Sequence, residues 1–182
     1  MRKALFILLM LSTILTACDK NRMKYGQGGQ NACQYVKEQV PEIRADIANV
    51  EVIEEDSLLS DIGLIFAETE MAKRGAEFME GKISRQAYDA VLDSISHDAT
   101  DVAYSWQFGD VVNDSLKKLP RYEGQWRKVY KIRVTMKSGT TKEPRVMMDN
   151  DGITPRMTEQ GMAKILEDFT KKVIEAQNLL FL

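Results

Sequence analysis

Trp126 to Asp149 reads WRKVYKIRVTMKSGTTKEPRVMMD, and this stretch decides the fold class. Tyr130, Ile132, Val134 and Met136 alternate with Lys131, Arg133, Thr135 and Lys137. Successive side chains of a strand point to opposite faces, so this period of two predicts a strand with one apolar and one charged face. Ser138-Gly139-Thr140 supplies a turn, and Lys142 to Asp149 returns as a second strand. Pattern sets the register, because a slip of one residue would carry Arg145 into the core. Pairing Ile132 with Val146 and Tyr130 with Met148 places both apolar sets on one face and implies a three-residue loop. Pro144 lacks the N–H that a ladder needs, so the returning strand is expected at a sheet edge.

Upstream, the period lengthens. From an N-cap at Asp56 or Ser57, the residues Leu58, Ile62, Ile65, Phe66, Thr69, Ala72, Ala76 and Met79 recur at three- and four-residue steps. They predict a helix over Ser57 to Met79, stopped by Gly81. Ser84 caps a second helix whose stripe is Tyr88, Val91, Leu92, Ile95, Ala99, Val102 and Trp106, ending at Phe108-Gly109. The short link between them predicts an antiparallel hairpin. Asp110 to Leu119 reads as one more short helix before Pro120. Further upstream, Ala48, Val50 and Val52 alternate with polar neighbours as a short strand, and the helical composition from Ala32 breaks at Val40-Pro41, where the residue before a proline leaves the helical region.

Downstream, Asp149-Asn150-Asp151-Gly152 is turn chemistry. Thr154 with Pro155 in the first helical position opens a turn or the last helix, whose stripe is Met162, Ile165, Leu166, Phe169, Val173, Ala176 and Leu180. The expected fold is α+β: a small antiparallel sheet of about three strands, packed on one face by the helical hairpin and the C-terminal helix. The alternative is an NTF2-like cone, an architectural likeness that needs more strands than the pattern offers.

The first eighteen residues carry a different message. Arg2 and Lys3 precede an apolar run, Ala4 to Leu11, and the stretch ends Leu15-Thr16-Ala17-Cys18. That is a secretory signal with a cysteine at its end. The run is too short for the roughly 20 residues that cross a bilayer as a helix. The segment resembles the lipobox signal of bacterial lipoprotein precursors. The resemblance implies cleavage of residues 1–17, a diacylglycerol thioether on Cys18 and an acylated amino group, which together tie the chain to a membrane of the cell envelope. Residues 18–34 are then expected to be the lipidated cysteine and a flexible tether, polar and containing Gly26, Gly28 and Gly29, with a single α+β domain over 35–182. The stretch from Asp19 to Lys24 is net positive, which suits anionic lipid.

Removing the leader takes Arg2 and Lys3 from the 25 basic residues and leaves an excess of about four among 27 acidic ones. That balance disfavours nucleic acid as a partner. With Cys18 in a thioether, Cys33 has no partner within the chain, so it is a buried small hydrophobe or a thiol that pairs with another chain.

Three candidate sites emerge. Asp93, His97 and Asp101 are spaced by four and line one helix face, an arrangement able to hold a metal; but His97 lies roughly 200° from Ile95 around the helix, so the row should face water. Asp149, Asp151 and Gly152 resemble a calcium loop in part, but Met147 stands where an acidic ligand belongs, and a turn is expected. Arg127, Lys131, Arg133, Lys137 and Arg145 share the charged strand face, which would meet an acidic partner, anionic headgroups or a carboxylate polysaccharide, with Tyr122 and Trp126 adjoining. Glu51 and Glu143 would neutralise part of it.

No catalytic or cofactor motif stands out, and no cofactor is expected. The preferred function is a non-enzymatic envelope lipoprotein that binds a protein or small ligand or supports an assembly. The alternative is an envelope hydrolase built from scattered carboxylates such as Asp93, Asp101 and Glu68. A concavity holding titratable groups favours the second, and flush packing favours the first.

Overall fold

The computed structural model describes residues 24–39 and 45–181. The signal, Cys18 and the first part of the expected tether lie outside the described residues. The fold is α+β with an open five-stranded antiparallel sheet, against the three strands expected. Its elements are α1 (24–39), β1 (Ile47–Leu59), α2 (Ile62–Met79), α3 (Arg85–Phe108), α4 (Asp110–Leu116), β2 (Trp126–Met136), β3 (Thr141–Lys142), β4 (Arg145–Met148), β5 (Pro155–Thr158) and α5 (Glu159–Asn178). The chain divides into two compact units, Met1–Ser57 with Arg127–Thr158, and Leu58–Trp126 with Glu159–Leu182.

In the first unit the sheet runs β1-β2-β4-β5, with β3 paired to β2. Tyr130, Ile132, Val134, Val146 and Met148 form one buried apolar set, as the alternation predicts. The register differs by two residues: Tyr130 stands opposite Val146 and Lys131 opposite Arg145. A shift of two preserves the face of every side chain, so the pattern cannot detect it. The turn begins one residue early, with Met136 N–H donating to Thr140 O and Gly139 carrying the positive φ of 87°. The loop is still three residues long.

Pro144 does not make an edge. It divides the returning segment into β3 and β4, and its carbonyl accepts from Ile132 N–H while β4 is flanked by β2 and β5. Pro155 opens β5 rather than a helix, pairing with Met148. A proline at the first residue of an outer strand needs no donor there. The intervening turn at Asp149-Gly152 is present: Gly152 N–H donates to Asp149 O, and Asp149 N–H to Thr154 O.

The expected tether is the largest correction, because residues 24–34 belong to α1. Ala32, Cys33 and Val36 pack with Val52, Tyr130, Ile132, Val134, Val146 and Met148 in one core, so α1 covers an apolar sheet face. The glycines that read as linker serve close approach. A Cβ on Gly28 would collide with Gly152 O and lie 2.9 Å from Tyr130 Oη. One on Gly29 would lie 2.6 Å from Tyr25 Cβ and 3.2 Å from Val52 Cγ2. Two glycines inside a helix cost about 1 kcal/mol each. Burying the sheet face offsets that. Val40-Pro41, where the sequence predicts the break, lie outside the described residues.

The second unit is helical. β1 continues to Leu59, so α2 starts at Ile62 and not at Ser57. Phasing the stripe from Leu58 therefore placed it wrongly: the buried residues are Leu64, Ala67, Met71 and Gly75, and Ile65, Phe66 and Met79 are exposed. Helix α3 agrees with its stripe, burying Tyr88, Leu92, Ile95, Val102 and Trp106, with Ser84 Oγ accepting from Ala87 N–H at its cap. Trp106 Nε1 donates to Leu59 O at 2.8 Å, and Leu59 N–H donates to Ser105 Oγ at 3.0 Å. In α5, Met162, Phe169, Val173 and Ala176 are buried. No helix among the described residues is long and apolar enough to cross a membrane.

Candidate functional site

A groove of about 480 Å³ opens between α2 and α3 in the helical unit. Leu64, Phe66 and Ala67 form one wall, and Val91, Ile95 and Val102 the other. At one end the chain that follows α4 turns back through Pro120–Tyr122 and closes the groove with Arg121, Tyr122 and Gln125. Gly63 borders that end because a Cβ there would collide with Gln125 Oε1. The amide nitrogen of Gln125 donates to Arg121 O at 2.8 Å and fixes the turn.

The polar end is a network around two carboxylates one helical turn apart. Tyr122 Oη lies 2.6 Å from Asp101 Oδ2 and 3.0 Å from Asp98 Oδ1. Arg121 donates from Nη2 to Asp101 Oδ2 at 2.7 Å, and its Nε lies 3.5 Å from Asp98 Oδ1. Its guanidinium also stacks over the Tyr122 ring, 4.8 Å from the centroid. Burial, followed by the hydrogen bond to Asp101 and the two nearby negative charges, pushes the Tyr122 phenol far above its ordinary range. Across the groove, Arg74 pairs with Glu70 at 2.6 Å and holds that carboxyl below the usual carboxylate range.

The row Asp93, His97 and Asp101 does not form a ligand set. Asp93 and His97 are exposed, as their position on α3 predicts, but Asp101 is buried against Arg121 and Tyr122. Steps of four drift about 40° around a helix, and the segment after α4 covers the face that Asp101 reaches. Among the described residues, no three His, Cys, Asp or Glu side chains are placed to hold a metal ion. Nor do Asp93, Asp101 and Glu68 converge, since Glu68 pairs with Lys172 at 2.7 Å. Asp151 caps its own turn, accepting from Ile153 N–H, Thr154 N–H and Thr154 Oγ1.

The charged strand face is a mixed ladder. Lys131 lies 3.5 Å from Glu143 and 3.8 Å from Glu54, and Arg133 lies 2.9 Å from Glu143 and 3.9 Å from Glu51. Arg145 stands opposite Lys131, and Lys137 donates to Ala45 O at the far end. Arg127 is buried and drops out of any exposed patch, and Tyr122 belongs to the groove. Cys33, on the inner face of α1, is buried in the core that the helix shares with the sheet.

Sequence reasoning singled out Asp101, set Tyr122 beside the charged strand face and not in the groove, and missed Asp98, Arg121 and Gln125. The network joins positions about twenty residues apart, and no local period records such a pairing.

No protein-family model matches the chain, and no curated protein and no solved structure gives a significant match.

Proposed function

We propose that the chain is a lipid-anchored protein of a bacterial cell envelope whose body binds without catalysing, and that the groove between α2 and α3 is its binding site. The anchor rests on the resemblance of residues 1–18 to a lipobox signal. The binding role rests on one observation: the groove is walled by apolar side chains, and its ionisable groups are engaged with one another. Tyr122 and Arg121 are held on Asp98 and Asp101, and Glu70 is held on Arg74. General acid or base work needs a proton available near the working pH. A phenol raised this far does not offer one, and the carboxylates beside it are already occupied.

What the groove offers is shape and a sign of charge. Two carboxylates face one guanidinium, which leaves the polar end net negative, and the Asp98 side chain keeps 33% of its surface exposed. That suits an apolar side chain or short chain ending in a cation, such as a partner-protein segment that pairs an aliphatic residue with a lysine or arginine. The Phe66 ring, 68% exposed at the rim, would close over it.

The test is a methyl NMR titration of the mature body with octylammonium, with octanoate as the control. Signals of Ala67, Ala90 and Val91 should move with the ammonium and less with the carboxylate, and Asp98→Asn should remove the difference. No movement with either amphiphile would overturn the reading.

A further inference from the structure

The first described residue of α1 is Lys24, and in sequence residues 19–23 lie between it and the cysteine of the lipobox. Six Cα steps reach at most about 22 Å even when fully extended, at no more than 3.6 Å each. The seated position of α1 on its sheet then decides which end of the sheet unit hangs closest to the anchor. The Tyr25 carbonyl accepts from Tyr130 Oη at 3.3 Å, and Tyr25 Oη donates to Ile53 O at 3.3 Å. The Gly152 carbonyl is set against Gly28, and Asn31 Nδ2 donates to Ile153 O at 2.9 Å. The loop between β4 and β5 is therefore fixed beside the start of α1. The hairpin tip at Ser138 is at the other end, where Lys137 N–H donates to Asp46 O. The eleven residues of β2 separate the two ends by about 35 Å, at a rise of about 3.3 Å per residue.

From this placement we infer that the unit stands on the membrane on one defined end, with the loop around Ile153 against the lipid headgroups and the hairpin tip at Ser138 pointing away. The inference rests on the proposed lipidation of Cys18. Two features of the near end fit a lipid surface. Ile153 is 47% exposed, a large aliphatic side chain at the loop tip with its backbone held by Asp151 and Asn31. In the sequence, Lys20 and Arg22 stand against Asp19 and Lys24 follows, so the stretch between Cys18 and the described part of α1 is net positive, which suits an anionic leaflet.

The experiment places one fluorophore at either end of the lipidated, full-length product. Ile153→Cys and Ser138→Cys are each made on a Cys33→Ala background, expressed with the leader in a lipidating bacterial host, and labelled. They are then reconstituted into phosphatidylcholine–phosphatidylglycerol vesicles that contain a headgroup nitroxide lipid. Flotation of the vesicles reports the anchor independently of orientation. With the protein floating, the probe at position 153 should lose severalfold more fluorescence than the probe at 138. A long Gly/Ser insert after Met23 should erase that difference while flotation persists. Equal quenching at the two positions, or stronger quenching at 138, overturns the orientation and leaves the anchor standing. Failure to float overturns the anchor and this inference with it.

Discussion

The Gly152 carbonyl oxygen occupies the space where Gly28 would carry a side-chain carbon, and Tyr130 Oη crowds the same point from 2.9 Å. Helix α1 is thus seated backbone against backbone on the sheet unit. Glycine at position 28 is a packing requirement, although in the sequence it is indistinguishable from a linker residue.

Replacing Gly28 with Ala sets two effects against each other. The substitution gains up to about 1 kcal/mol of helix propensity. It also forces a methyl against a backbone oxygen that cannot swing aside, and overpacking of this kind costs about 1–3 kcal/mol. The steric effect should win, lowering the urea midpoint, whereas Gln34→Ala on the exposed face of α1 should leave it nearly unchanged. A stabilised Gly28→Ala protein would mean that α1 does not sit on the sheet.

Tyr122 makes stability fall at high pH. Its phenol is raised in the folded state by burial first and then by the hydrogen bond to Asp101 and the charges around it. A group with a raised folded pKa contributes stability that is complete below the unfolded value, about 10 for tyrosine, and is lost as pH rises toward the folded value. Thermal melts between pH 8 and 11 should therefore show a steeper loss for the parent than for Tyr122→Phe. Tyr88 and Tyr130, also raised by burial, remain in both proteins and cancel in the comparison. Parallel curves would show that Tyr122 ionises as freely as an exposed tyrosine.

Periodicity made legible those elements whose burial is one-sided. The alternation around Ile132 identified the β2 face, and the stripes of α3 and α5 agree with the buried residues. The errors have physical causes. Shifting a strand pair by two residues keeps every side chain on its face, so pattern alone allowed the wrong partner for Tyr130. Leu58 is apolar and correctly spaced for α2 yet belongs to β1, which displaced the predicted helix face. Gly28 and Gly29 lie buried in a helix, where composition argues for the opposite. The groove was half visible: Ile95 and Val102 were assigned inward, but the Arg121–Tyr122 cap that completes it depends on a chain reversal after α4.

Asp101 and His97 lie one helical turn apart and should respond oppositely. Truncating Asp101 to Ala takes from the buried Tyr122 hydroxyl its shorter hydrogen bond, at 2.6 Å, and from the exposed Arg121 its closer ion pair, leaving Asp98 as the remaining partner of both, at a cost of about 1–3 kcal/mol. His97→Ala, on an exposed stretch of α3, should stay within about 0.5 kcal/mol of the parent. Denaturant melts of the two variants decide the matter, and a His97 effect as large as that of Asp101 would restore a role for the row they share.

Replacing Cys18 with Ser tests the anchor without touching the folded body, because the change lies before the first described helix. The oxygen cannot form the thioether, so the product should remain unlipidated and leave the membrane fraction, while the released body melts like the parent. The intact mass is the second measurement: the parent should carry a diacylglycerol and lack residues 1–17. If the Cys18→Ser product still sediments with membranes, something other than an acyl chain holds it there, and the exposed apolar side chains of the helical unit, Phe66 first among them, become the place to look.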